Sequence, residues 1–157
     1  MNRLEQLFSQ KKKILNIYVT AGFPKLNDTV TIVQELEKNG VDLVELGMPY
    51  SDPLADGPVI QHSGSVALSN GMKLSLLFEQ IKEIRKTSSI PLVLMGYFNQ
   101  LMRYGVDEFL QEAAGCGIDG LIIPDLPVEE YIENYQHKVE KLGLNFVFLI
   151  SPQTETE

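Results

Sequence analysis

Glu45 stands inside VDLVELG, a strand-sized run that is apolar apart from Asp42 near its start. Alternation along a strand sets Val41, Leu43 and Glu45 on one face and Asp42, Val44 and Leu46 on the other. An isolated carboxylate buried there is costly unless it is paired or protonated. At the carboxyl end of such a strand it is a candidate general acid/base. The competing reading is a glutamate that has already reached solvent or pairs with a lysine. The loop that follows, GMPYSDPLADGP, adds Asp52 and Asp56 among prolines and glycines that make it rigid and irregular. Asp52, in Ser-Asp-Pro, reads as an ordinary turn residue, and Asp56 before Gly57 admits the same reading. The combination favours chemistry: a strand-end glutamate, a long structured loop and a second carboxylate on it. Two carboxyls in different environments can hold different protonation states at one pH, as acid/base work requires.

Other reactive side chains are weaker candidates. His62 and His137 have no ligand-like spacing and read as structural or solvent-facing. Cys116, in Gly115-Cys116-Gly117, reads as a small packed residue at a helix end. Asp125, in IIPDLP, is expected to cap the helix that follows it, while also lying near the active end. Tyr97 and Asn99 follow the third apolar run and face the same end. The chain lacks GxxxxGK[ST] and G-x-S-x-G patterns and shows no metal-binding constellation. No lysine falls within the strand-like runs, so a Schiff-base mechanism is not supported.

The elements that must carry these residues are legible as period changes. Five apolar runs, at residues 14–19, 41–46, 90–95, 120–123 and 146–150, are nearly continuous, as in strands buried on both faces of a parallel sheet. Helical patterns separate them. Asp28 is expected to cap a helix carrying Val30, Val33 and Leu36, with Gly40 past its end. Leu74, Leu77, Phe78, Ile81 and Ile84 follow i, i+3, i+4, i+7 spacing. Asp107 opens a helix with Phe109, Leu110 and Ala113, and Pro127 with Glu129 and Glu130 opens another that ends at Gly143. Strict strand–helix alternation predicts an α/β fold with a parallel sheet and right-handed crossovers. The segment between the second and third runs, about 45 residues, exceeds the usual βαβ spacing. Its excess begins right after Glu45, where parallel folds bind ligands.

Composition narrows the function. The chain has 157 residues, 44% hydrophobic and 22% charged, enough for a packed core. A net charge of −8 argues against nucleic-acid binding. A single cysteine permits no intrachain disulfide and suits a reducing cytoplasm. The apolar runs are too short to span a membrane, and the amino terminus does not read as a secretory signal.

LNIYVTAGFP, VELGMPYSDPLADGPVIQ, LMGYFNQLMRYG and GLIIPDLPVEE, in that order, closely resemble the alpha subunit of tryptophan synthase. The resemblance implies a TIM (β/α)8 barrel, of which this chain supplies about the first five βα units. It implies a lyase of tryptophan biosynthesis that cleaves indole-3-glycerol phosphate to indole and glyceraldehyde 3-phosphate. Glu45 matches the family's strand-end acid/base and Asp56 the loop carboxylate that meets the indole N–H. Tyr18, Met95, Tyr97, Ile122 and Leu149 match contacts to the indole ring, with ordinary barrel core as the competing reading. Tyr18 departs from the phenylalanine common at that position. The resemblance further implies a cytoplasmic alpha2beta2 heterotetramer with a beta subunit that carries pyridoxal phosphate. Pro53 and Leu54 match the partner-contacting loop, and this chain itself needs no cofactor and no metal. Residues 1–157 then form one incomplete barrel domain ending after the fifth strand, with Glu155-Thr156-Glu157 reading as an interrupted helix start. By the same resemblance the phosphate site and closing loop lie on later strands, so the chain alone is expected to be nearly inactive. The alternative is a non-catalytic half-barrel that binds the beta subunit or self-associates.

Overall fold

The computed structural model of the chain describes residues 1–53 and 55–152. Its elements run α1 (Arg3–Gln10), β1 (Asn16–Thr20), α2 (Asp28–Lys38), β2 (Leu43–Gly47), α3 (Pro58–Ser69) and α4 (Leu74–Arg85). They continue with β3 (Leu92–Met95), α5 (Phe98–Tyr104), α6 (Val106–Cys116), β4 (Gly120–Ile122), α7 (Val128–Asn134), α8 (Gln136–Lys141) and β5 (Asn145–Phe146). The strands form one parallel sheet in the order β1-β2-β3-β4-β5. Each strand lies beside its predecessor in sequence. That is the order of a barrel wall; a doubly wound sheet reverses direction at a switch point.

The alternation expected for β2 holds within the strand. Val44 and Leu46 are fully buried in the main core, together with Val33 of α2, Leu77 and Ile81 of α4 and Phe109 of α6. Leu43 turns to the other face, into a smaller cluster with Leu4, Val93 and Ile122. Val41 precedes the strand and joins the main core instead, because strict alternation begins only with the ladder.

α1 is an element not expected above, although Leu4, Leu7 and Phe8 stand at i, i+3, i+4 spacing; a cap fixes its amino end. The Asn2 carboxamide oxygen accepts from Glu5 N–H at 3.1 Å, and Glu5 accepts from Asn2 N–H at 3.0 Å, a reciprocal capping box. Leu4 then enters the inner cluster, and the Asn2 amide donates to the carbonyls of Asp119 (2.9 Å) and Gly143 (3.0 Å). The helix thus covers the amino end of the inner face.

Several boundaries differ from expectation. Asp28 is the first residue of α2 and not its cap; Asn27 holds the cap position without a side-chain bond. Asp28 therefore acts as a first-turn acid at the positive end of the helix. Gly40 and Gly143 end their helices at φ +84° and +72°, as their placement predicts. The long segment after β2 contains α3, which starts on Pro58 and buries Ser63, Gly64 and Ala67. A helix that buries only small residues leaves no apolar stripe to read. A further helix, α5, follows β3, and the fourth expected helix is divided into α7 and α8 at Tyr135. The run at 146–150 does not form the buried strand expected. Pairing ends with Val147 N–H donating to Leu121 O, and Phe148, Leu149 and Ile150 are 38%, 61% and 83% exposed. β4 itself ends at Ile122, so residues beyond 147 have no ladder to join on that side. Gln153, Thr154 and the expected helix start at Glu155-Thr156-Glu157 lie outside the described residues.

A buried ion network ties the amino ends of β3 and β4. Asp119 is 1% exposed and accepts from Arg85 (3.0 Å), Arg3 (2.9 Å) and Leu92 N–H (3.0 Å). Burial pushes the Arg85 guanidinium down to about 10; Arg3 adds to that shift and Asp119 opposes it. Removing Asp119 would leave Arg85 buried and unpaired. Asp119→Ala is expected to lose about 3 to 5 kcal/mol of stability in urea unfolding. Lys82→Ala, at the exposed Lys82–Glu112 pair, should cost less than about 1 kcal/mol. Equal effects would remove the distinction between the two pairs.

Candidate active site

The carboxyl ends of the strands open onto a cavity of about 480 Å³. Tyr18, Glu45, Met95, Tyr97 and Leu149 line it, together with Asp56 from the loop after β2. Met48, Ile60, Pro124 and Asp125 complete much of the wall. Glu45 lies in register between Tyr18 of β1 and Val93 of β3, on the inner face. It is half-buried, and its Oε1 accepts a hydrogen bond from the Asn16 side-chain amide. The lysine partner entertained from sequence is thus replaced by a neutral donor.

Gly47 lets Tyr18 lie across the end of β2. A Cβ at residue 47 would fall 1.9 Å from the Tyr18 hydroxyl oxygen. Burial raises the Tyr18 phenol above its ordinary value; a hydrogen bond with Thr20 opposes this, and the charges of Asp56 and Glu45 reinforce it. Near the mouth, Tyr97 reaches the loop. Its hydroxyl accepts from Ala55 N–H at 3.2 Å. Desolvation raises the Tyr97 phenol, and the neighbouring Asp56 carboxylate raises it further by charge and by a hydrogen bond that the phenol donates. Tyr50 stacks on Tyr97 at 5.0 Å and accepts from the Asn99 amide at 2.6 Å. Gln61 of α3 donates to the carbonyls of Pro53 (3.2 Å) and Asp56 (2.9 Å). The second carboxylate is therefore carried on a loop anchored from both sides.

Not every expected residue reaches the cavity. Ile122 is buried in the inner cluster with Leu4, Leu43 and Val93 and does not line the cavity. Asp52 is exposed and accepts from Ser51 Oγ at 2.7 Å, as a turn residue does. Asp125 caps a helix, but not its own: both carboxylate oxygens accept from Phe98 N–H at the start of α5, at 2.9 and 3.1 Å. It also borders the cavity. His62 is exposed with its ring edge-on to Phe23, and His137 is exposed. Cys116 is buried, its thiol pushed up to about 11 by desolvation, which makes it a poor nucleophile. Pro53 is half-buried in the loop, and Leu54 lies outside the described residues. Sequence reasoning missed Asn16; the available signal was a polar residue in a strand run at the same parity as Tyr18.

The profile of the tryptophan synthase alpha chain family matches residues 4–157. The chain belongs to that family. The alpha chain of Flavobacterium psychrophilum is 60% identical over all 157 residues, and that of Bacteroides thetaiotaomicron is 51% identical over 158 aligned positions. The chain spans about 62% of the length of each of these curated relatives. Among solved structures, the alpha subunit of Legionella pneumophila superposes with a TM-score of 0.92 at 41% identity, covering 99% of this chain and 61% of that one. The tryptophan synthase complex of Pyrococcus furiosus gives 0.86 at 41% identity, covering 92% and 60%. The five parallel strands are thus part of the (β/α)8 barrel of tryptophan synthase alpha chains. Among the described residues, no helix is long and apolar enough to cross a membrane.

Two outcomes follow from the geometry of this alpha-chain site. Tyr97→Phe removes the anchor of Ala55 and is expected to speed exchange of the Ala55 amide while changing global stability by only about 1 kcal/mol. Unchanged exchange would mean that the hydroxyl does not hold the loop. The raised Tyr18 and Tyr97 phenols keep their protons in the folded chain after the unfolded chain has begun to lose them, near the ordinary value of 10.0. Stability is therefore expected to fall as pH rises above that value. Tyr18→Phe should make the fall shallower in denaturation midpoints measured across alkaline pH.

Proposed function

We propose that this chain carries the acid/base half of an indole-3-glycerol phosphate lyase. The observation that carries the reading is the convergence of Glu45 and Asp56 on one largely aromatic and aliphatic cavity, in a member of the tryptophan synthase alpha chain family. The cavity suits a flat apolar ring with one polar edge. Glu45 delivers a proton to C3 of the indole ring and, as a carboxylate, takes the proton of the glycerol hydroxyl. The carbon–carbon bond breaks as the hydroxyl proton leaves: the new C=O forms, the bonding pair returns to the protonated ring, and indole and glyceraldehyde 3-phosphate are released. Asp56 accepts from the ring N–H and stabilises the positive charge that C3 protonation creates. Tyr18, Met95 and Tyr97 supply the walls that hold the ring.

The partner in this reading is the beta subunit of tryptophan synthase, in an alpha2beta2 assembly. The loop from Pro53 to Pro58 is its contact, a reading supported by the exposure of Ala55, Gly57 and Pro58 and by the bond from Ala55 N–H to the Tyr97 hydroxyl. Pyridoxal phosphate belongs to that partner; the residues of this chain supply proton transfer and charge stabilisation without a cofactor. The setting is the cytoplasm.

The test uses this chain extended to the length of its relatives with the carboxyl-terminal portion of the Flavobacterium psychrophilum protein. Glu45→Gln is expected to lower turnover by about 100- to 10,000-fold, the range for loss of a general acid/base, with the fold intact by circular dichroism. Asp56→Asn should also lose turnover. Near-normal cleavage by Glu45→Gln would remove Glu45 from the proton transfer.

A further inference from the structure

We propose that Asn16 is a positioning residue that holds the Glu45 carboxylate by one oxygen and leaves the other to exchange protons. The proposal rests on the reading of Glu45 as the acid/base. Asn16 lies on β1 two residues before Tyr18, and the ladder pairs Asn16 with Leu43 and Tyr18 with Glu45. Asn16 is therefore diagonal to Glu45, one layer toward the amino ends of the strands. It does not line the cavity, so it does not touch what the cavity holds. Its Nδ2 donates to Glu45 Oε1. The inner face on that side is otherwise aliphatic, formed by Leu43, Val93 and Ile122.

The chemistry of the donor matters. A glutamate side chain loses several rotatable bonds' worth of freedom when fixed, and an untethered one samples poses that cannot transfer a proton. A carboxamide has two N–H donors and does not titrate. It donates to Oε1 whether Glu45 is ionised or protonated, so the tether survives both halves of the reaction. The proton is then confined to Oε2. A lysine at the same place would fix the carboxylate equally well but would bias it toward the ionised form. A neutral donor suits a group that must both give and take a proton. Among the described residues, the titratable groups that line the cavity with Glu45 are Tyr18, Asp56, Tyr97 and Asp125, none of which is a cation.

The experiment measures kcat and KM separately in the extended chain. Asn16→Leu removes the donor, and Asn16→Asp replaces it with a like charge of the same shape. Both are expected to lower kcat by about 10- to 100-fold, the cost of a misplaced catalytic group, with KM within about twofold, and Asn16→Asp should be the worse. Circular dichroism of both variants of the extended chain checks that they fold. The side-chain amide signal of Asn16 in ¹⁵N spectra is expected to move on Glu45→Gln, a readout independent of turnover. Asn16→Leu with parental kcat, a loss confined to KM, or an amide signal that ignores Glu45→Gln overturns the assignment. If the unsubstituted extended chain cleaves no substrate, or Glu45→Gln cleaves it normally, the reading of Glu45 has failed and the role of Asn16 fails with it.

Discussion

Every residue of β2 must choose between two faces, and only one of them can hold a charge. The outer face is sealed by helices: Val44 and Leu46 are fully buried there. A carboxylate on that side would meet no water and no partner, at a cost that rivals the stability of a domain. The parity of residue 45 sends Glu45 inward instead, and its position near the end of the strand sends it toward the cavity. Shifting the strand by one residue would exchange the faces. The parallel ladder that pairs Tyr18, Glu45 and Val93 is therefore what makes this a site.

The rest of the molecule divides along the same axis. At the amino ends, α1 covers the inner face and Asp119 gathers Arg3, Arg85 and a backbone amide, so polarity there is spent on structure. At the carboxyl ends, Glu45 and Asp56 line the cavity, and the loop carrying Asp56 is fastened by Tyr97 and Gln61. Rigid support on one end and an open cavity on the other follow from one topology, in which stability and chemistry occupy opposite ends of the strands.

Much of this was legible in the sequence, and what was not has identifiable causes. Glu45 announced itself as a carboxyl in an apolar run, and the Pro- and Gly-rich loop after it marked Asp56. Met95 and Tyr97 share the cavity as their spacing requires. Ile122 has the same strand parity but is consumed by the inner cluster, because parity fixes a face and not a depth. Helix α3 was hidden because it buries Ser63, Gly64 and Ala67. Helix α1 offers only about two turns of pattern, Leu4, Leu7 and Phe8, of which Phe8 is exposed, and its start is set by the Asn2 cap. Asp125 was read as a cap for the next helix, but a local pattern cannot reveal that the amide it holds belongs to Phe98, on the neighbouring unit. Asn16 escaped notice for the same reason: its partner is across a strand pair.

The central claim is that the cavity holds an aromatic ring between Glu45 and Asp56. A crystal structure of the extended chain carrying Glu45→Gln, with indole-3-glycerol phosphate bound, tests it most directly. The account predicts the ring against Tyr18, Met95 and Tyr97, C3 facing residue 45, and the ring N–H about 3 Å from the Asp56 carboxylate. A ring seated elsewhere, such as in the second cavity beside Lys73 and Arg103, or one whose N–H turns away from Asp56, would contradict it.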